Sequence, residues 1–323
     1  MKVAFFSAKK YEVEIFKQSN QKSSLEFHFF ESRLTEQTAQ LAKGHHAVCC
    51  FVNDVLDAPV LRILADLNIK YIALRCAGYN NIDLNAAQNL GLQVFRVPEY
   101  SPYAVAEHAT ALLLTLNRKI HRAHNRVREL NFALDGLVGF DLHGKTVGVI
   151  GTGKIGRVFA TIMKGFGCRV LAFDPHPNTD LKIDIEYVTL NEIYRNSDVL
   201  SLHCPLNEHT RYLLNEQAFG QMKRNAILIN TGRGAIIDTK ALINALKTHQ
   251  IGGACLDVYE EEEGIFFNDQ SIEGIEDDIL ARLTTFPNVL ITSHQAFLTK
   301  EALANIATTT IQNLERTQIP ALV

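Results

Sequence analysis

The sequence predicts an α/β protein built from two open, doubly wound parallel sheets. Three observations carry that prediction. Short runs that are apolar at nearly every position alternate with amphipathic stretches along the chain. These runs fall into two series separated by one long helical segment. A glycine-rich turn joins a run to a helix in the second series. Continuous apolar runs suit parallel strands buried on both faces, and the helices between them supply the covering layers.

In chain order, the first series is Val3–Phe6, Leu25–Phe30, Ala47–Val52, Tyr71–Leu74 and Leu92–Val97. Ala104 to Ile120 then reads as one long linking helix, with Pro102 suited to its first turn. The second series is Thr146–Ile150, Arg169–Phe173, Val199–His203, Ala226–Ile229, Ala254–Val258 and Val289–Thr292. Ile155, Val158, Phe159, Ile162, Met163 and Phe166 form one helix stripe after the first of these. Leu303, Ile306, Ala307, Thr310, Ile311 and Leu314 repeat the spacing near the C-terminus. Too little chain remains there for a third domain, so this helix must pack on one of the two, and periodicity does not say which.

The 323 residues are 47% hydrophobic and 21% charged with a net charge of −3, the balance of a soluble globular protein. No Lys/Arg run suggests a nucleic-acid partner. The apolar start, Val3 to Ala8, is too short for an export signal and is followed by Lys9-Lys10. Stretches such as Ala111–Leu114 are far below membrane-spanning length, so a cytoplasmic protein without a membrane partner is expected. The six cysteines, Cys49, Cys50, Cys76, Cys168, Cys204 and Cys255, show no regular spacing and read as free thiols. No metal site is expected. His121 and His124 share a helix face, but Arg122, Arg126 and Arg128 crowd it.

Gly151-Thr152-Gly153-Lys154-Ile155-Gly156 lies between a strand and an amphipathic helix, the setting in which this pattern binds a dinucleotide. Gly151 permits the tight turn, Gly153 lets the backbone approach a pyrophosphate, and Gly156 lets helix and strand pack closely. The first-turn amides, at Lys154 and Ile155, offer the positive helix end to the anion. The next strand ends at Asp174, whose carboxylate would accept both adenosine ribose hydroxyls and repel the extra phosphate of NADP, which favours NAD. A nucleotide-hydrolase phosphate loop is rejected, because Arg157 and Val158 stand where it needs Lys and then Ser or Thr.

Chemistry on a small carboxylate beside a nicotinamide would call for a grip on the carboxylate, a proton donor, and a partner that keeps the donor charged. Arg233 directly follows a buried strand, on the side where open α/β sheets bind ligands, and its guanidinium can fork onto a carboxylate. His294 likewise follows the last strand. A carboxylate from the acidic run Glu260 to Glu263 could favour its imidazolium form. Spacing alone does not choose among the four.

Three segments resemble the D-isomer-specific 2-hydroxyacid dehydrogenase family. They are Gly151–Gly156 with Asp174, then Asn230-Thr231-Gly232-Arg233-Gly234, and Asp257-Val258-Tyr259-Glu260-Glu261-Glu262 followed by Ser293-His294-Gln295-Ala296-Phe297. The resemblance extends to Tyr71–Asp83, Ala104–His108 and His203-Cys204-Pro205-Leu206. It implies catalytic roles for Arg233, His294 and Glu262, the last standing five residues after Asp257. It places His203, Cys204, Pro205, Thr231 and Asp257 at the cofactor. It places Cys76, Ala77 and Gly78 at the substrate carboxylate, with Tyr100 and Phe297 crowding a small side-chain pocket.

The resemblance further implies a flavodoxin-like substrate domain, 1–100 plus 300–323, and a Rossmann NAD-binding domain, 101–299. They would close over the active site to exclude water. NADH-dependent, reversible reduction of pyruvate to D-lactate is the expected activity, in a homo-oligomer, dimer or tetramer. Glyoxylate or hydroxypyruvate is the alternative substrate. A phosphoglycerate enzyme with a regulatory domain is disfavoured by the short remaining chain. An NAD(H)-sensing interaction protein is disfavoured by the intact Arg233, Glu262 and His294.

Overall fold

The computed structural model describes residues 1–177 and 184–315. The chain divides into two compact units, Met1–Ser101 with the segment from Phe297 onward, and Pro102–Ala296.

In the first unit, β1 (Lys2–Phe5), β2 (Glu26–Phe29), β3 (Ala47–Cys50), β4 (Tyr71–Leu74) and β5 (Gln93–Arg96) make a parallel sheet. Its order is β2-β1-β3-β4-β5, the flavodoxin-like arrangement. The helix Lys300–Glu315 packs on Lys10–Ser19 and on β4 and β5. It buries the row that the spacing predicts, together with Ala302. Periodicity could not choose this position, because it reports a helix's apolar face but not what that face meets.

A polar group lies inside this unit. Arg75 is fully buried, with its guanidinium 4.2 Å from the Phe5 ring centroid and 5.0 Å from that of Phe51. It donates to Glu12 from Nε at 2.8 Å and to the Ser7 carbonyl at 3.0 Å. Removing either partner would strand a buried charge, at about 3–5 kcal/mol.

In the second unit the strands are β6 (Thr146–Ile150), β7 (Arg169–Phe173), β8 (Glu186–Tyr187), β9 (Val199–Leu202), β10 (Ile227–Asn230), β11 (Gly253–Leu256) and β12 (Val289–Ile291). The parallel order β12-β11-β10-β9-β6-β7-β8 reverses direction between β6 and β9, which opens the crevice where such sheets bind dinucleotides. Leu112, Leu113 and Leu116 from the helix Pro102–Asn117 join Val147, Val149, Phe159 and Met163 in one core layer. Ile193, Leu200, Phe219, Leu228, Leu242 and Leu246 belong to the other.

Three details differ from the sequence reading. The two-residue β8 was not predicted, because it is too short and polar to carry a pattern. The linking helix ends at Asn117 instead of Ile120. Lys119 takes a left-handed backbone, φ 51°, and a separate helix, Ile120–Arg128, follows with no buried residue. The helix after the glycine turn centres its buried row on Gly156, Phe159, Ala160 and Met163. Ile155, Val158 and Ile162 pack at the margins, and Phe166 is 37% exposed. The cause is close approach at Gly156, where a Cβ would lie 1.9 Å from the Gly151 carbonyl oxygen. Among the described residues, no helix is long and apolar enough to cross a membrane.

Candidate functional site

The glycine turn sits at the carboxyl end of β6. Gly151 has φ 93°, and a Cβ there would be 2.7 Å from the amide nitrogen of Cys204. The chain itself therefore requires Gly151 and Gly156. Gly153 is different, since a Cβ would meet nothing within 4 Å. Space left open at the first helical turn, with no side chain capping its amides, fits a bound anion such as pyrophosphate. Lys154 and Ile155 open that helix.

Asp174, just past β7, accepts from the Thr152 amide at 2.7 Å and the Thr152 hydroxyl at 3.1 Å, while its other oxygen accepts from the His176 amide. Partial burial pushes its carboxyl up, but these donors outweigh it and hold the group below the usual carboxylate range. It is thus anionic beside the glycine turn.

His203-Cys204-Pro205 follows β9 across the crevice. The His203 ring packs on Phe159 with centroids 5.1 Å apart, and its Nε2 is 2.9 Å from Ser201 Oγ. Burial lowers this imidazole to about 4 and pushes the Cys204 thiol up to about 11, so both are neutral near pH 7. Thr231 is buried, and its hydroxyl oxygen has no protein partner among the described residues. An orphaned hydroxyl in a nucleotide-binding sheet is a second feature that fits a bound cofactor.

The three neighbouring strands β10, β11 and β12 each end in a loop that carries one candidate residue. Arg233 follows a turn that Asn230 builds. The Asn230 side chain accepts from the Gly232 amide at 3.0 Å and donates to the Arg233 carbonyl at 2.9 Å. Arg233 Nη1 donates to the Gly232 carbonyl at 2.8 Å, and among the described residues the guanidinium has no carboxylate partner. A half-buried cation without an ion pair differs from an ordinary surface arginine. At Gly234 a Cβ would lie 2.0 Å from the Tyr259 carbonyl carbon, so glycine lets this loop touch the next one.

Glu262 and His294 meet, with His294 Nδ1 2.8 Å from Glu262 Oε1. Their side chains are 14% and 24% exposed for His294 and Glu262 respectively, partly shielded from water. This contact resolves the acidic run, because Glu260 instead accepts from Thr239 and from the Tyr212 hydroxyl. Glu262 also accepts from the Tyr259 amide at 3.2 Å. His294 Nε2 makes no hydrogen bond among the described residues. The Phe267 ring lies 5.9 Å from the imidazole.

The loop holding His294 is built on Asp257. The sequence reading puts Asp257 at the cofactor, yet its carboxylate is completely buried and occupied locally. It accepts from Thr292 at 2.5 Å, the Gln295 amide at 2.9 Å and the Ala296 amide at 2.8 Å, and its carbonyl accepts from the His294 amide at 2.7 Å. Burial raises this carboxyl, but the bonds from His108, Thr292 and the two amides more than compensate, and it remains ionised. They hold His294 at φ 49°, a left-handed conformation costing about 1–3 kcal/mol for a non-glycine residue.

In the first unit, Cys76, Ala77 and Gly78 follow β4. Among the described residues the Ala77 and Gly78 amides donate no hydrogen bond, leaving two donors for an anion. Tyr100 and Phe297 meet edge to face at 6.2 Å. Phe51, which the sequence reading did not name, lies 5.8 Å from Phe297. Its single apolar position gives no sequence signal, and neither does the turn-building role of the Asn230 side chain.

A doubly wound sheet with a glycine turn at its switch point, an anionic carboxylate past β7 and an orphaned hydroxyl past β10 fits the dinucleotide-binding domain of an NAD-dependent oxidoreductase. Residues 110–296 match the family described as D-isomer specific 2-hydroxyacid dehydrogenase, NAD binding domain. The chain is 54% identical over 315 residues to a D-lactate dehydrogenase of Escherichia coli K12, covering 97% of this chain and 96% of that one. The apo structure of an Escherichia coli D-lactate dehydrogenase superposes with a TM-score of 0.90 at 52% identity, covering 98% and 97% of the two chains. The pyruvate reductase of Chlamydomonas reinhardtii gives 0.94 at 44% identity, covering 100% and 98%. This chain belongs to the D-isomer-specific 2-hydroxyacid dehydrogenase family, and NAD is its cofactor.

Proposed function

We propose that the chain reduces pyruvate to D-lactate, reversibly, with Arg233, His294 and Glu262 performing the chemistry. The observation that carries this reading is the bond between His294 Nδ1 and Glu262 Oε1 at 2.8 Å. The carboxylate fixes a proton on Nδ1, which leaves Nε2 as the nitrogen that gives and takes a proton. It also stands as the counter-charge beside the imidazole when that ring carries the proton to be delivered.

Bound NADH supplies the hydride for the ketone carbon. His294 Nε2 delivers the proton to the ketone oxygen, and the same nitrogen accepts it in the reverse direction. Arg233, with no ion-pair partner among the described residues, is available to a carboxylate and to the developing alkoxide. The Ala77 and Gly78 amides receive the substrate carboxylate, and Tyr100 and Phe297 limit the side chain to the size of a methyl group. Gly151, Gly153, Lys154, Ile155 and Gly156 would hold the pyrophosphate of the bound cofactor, Asp174 would accept its ribose hydroxyls, and His203, Cys204, Pro205 and Thr231 would line the rest of its site.

The same reading places the protein in the cytoplasm as a homo-oligomer. Six cysteines that form no disulfide suit a reducing compartment. Leu130, Phe132, Leu134 and Val138 are each at least 68% exposed, an apolar arm that suits burial against a second copy.

NADH consumption over a panel of pyruvate, glyoxylate, hydroxypyruvate and bulkier 2-oxo acids tests the proposal. The highest kcat/KM is expected for pyruvate. A preference for glyoxylate or hydroxypyruvate would move the substrate assignment, and NADH binding without turnover of any acid would favour a sensing role.

A further inference from the structure

We propose that Arg96 is a positioning residue that aims and strengthens the amides receiving the substrate carboxylate. The inference rests on the reading of Ala77 and Gly78 as that receptor.

Arg96 is the last residue of β5, beside the turn that follows β4. Its Nη1 donates to the Ala77 carbonyl at 2.8 Å, and its guanidinium lies 5.2 Å from the centroid of the Tyr79 ring. The Ala77 carbonyl and the Gly78 N–H belong to one trans peptide plane and point in opposite directions. Holding the oxygen therefore fixes the direction of the N–H. The neighbouring plane is held in the same way, because the Cys76 carbonyl accepts from the Val97 amide at 3.2 Å, which aims the Ala77 N–H. The next carbonyl, of Gly78, accepts from Cys76 Sγ at 3.2 Å. All three carbonyls are tied back, and the Ala77 and Gly78 amides, which donate to nothing among the described residues, face the other way.

One of these ties carries a full positive charge. A guanidinium on the Ala77 oxygen polarises that peptide and makes its N–H a stronger donor to an anion. Arg96 is itself held from behind, since Asn313 donates to its backbone carbonyl at 2.9 Å. No ion pair to Arg96 is found among the described residues, so its charge is not spent on a neighbouring carboxylate.

The test is steady-state kinetics of Arg96→Met and Arg96→Lys beside the wild type. It is paired with oxamate binding to the enzyme–NADH complex, NADH binding and thermal melting. Because the carboxylate bond is made in both ground and transition states, Arg96→Met should raise pyruvate KM and weaken oxamate by about tenfold. kcat, NADH affinity and melting temperature should stay near wild type. Arg96→Lys, which keeps a charged donor, should recover part of the loss. Unchanged pyruvate KM and oxamate affinity would overturn the inference. So would a parallel loss of NADH binding, kcat and melting temperature in both variants, which would mark Arg96 as structural only. A wild type that turns over no 2-oxo acid would instead sink the reading of the reaction, and this inference with it.

Discussion

Replacing Gly153 and Gly156 separately by alanine should split cofactor binding from folding. At Gly153 the backbone is at φ −62° and ψ −170°, open to any L-residue, and the new methyl meets no protein atom within 4 Å. Alanine is a poorer helix cap than glycine but restricts the unfolded chain, and these two effects roughly offset within about 0.5–1 kcal/mol. The methyl would instead occupy the space through which a pyrophosphate approaches the amides. Losing one hydrogen bond to a charged group costs about 1.5–3 kcal/mol, or roughly ten- to a hundredfold in NADH dissociation constant. At Gly156 the methyl would lie 1.9 Å from a backbone oxygen and 3.0 Å from a backbone carbon, neither of which can swing aside. Overpacking of that kind costs about 1–3 kcal/mol, and a domain of this size should melt roughly 2–12 °C lower. NADH fluorescence titration and calorimetric melting read the two quantities. The reasoning fails if Gly153→Ala binds NADH as the wild type does, or if Gly156→Ala is as stable as the wild type.

The acidic run gives a second contrast. Glu262→Gln should lower kcat for pyruvate reduction by about tenfold or more, because the imidazolium loses its counter-charge. Glu260→Gln should leave kcat within about twofold and lower the melting temperature, because Glu260 bonds Thr239 and Tyr212 instead. Asp174→Ala should narrow the NADH/NADPH ratio of kcat/KM by about tenfold, and an unchanged ratio would assign cofactor choice elsewhere. Burial holds His203 near 4 in the folded chain, against 6.5 when unfolded. Between those values the unfolded chain binds a proton that the folded one refuses, so stability is full above about 6.5 and falls as pH drops toward 4. The loss is at most about 3 kcal/mol, and urea unfolding of His203→Gln should show a shallower acid slope over that window.

Much of the fold was legible because parallel strands buried on both faces leave continuous apolar runs, as at Ala47–Cys50 and Val199–Leu202. β8 left no trace because two partly exposed residues cannot make a pattern. The helix end at Asn117 was missed because Arg118 and Lys119 are both good helix formers, and the left-handed turn at Lys119 is not encoded by any glycine. Of the candidate site, Gly151, Gly156 and Asp174 could be assigned from motif position. Choosing Glu262 over its neighbours required either the family resemblance or the coordinates, because four adjacent carboxylates look alike in sequence. The supporting residues were least legible. Asp257 lies 35 residues before Thr292 and organises the loop of His294 through contacts that no local pattern reports. The burial of Arg75 has no local sequence signal, because its partner Glu12 stands 63 residues away.

The most direct test of the central claim is the single-turnover rate of NADH oxidation by pyruvate in the wild type and in His294→Asn, with chiral analysis of the product. The account predicts D-lactate from the wild type, and a rate lower by about 10²–10⁴ in the variant with NADH affinity unchanged. Equal rates in the two proteins, or L-lactate as the product, would contradict it.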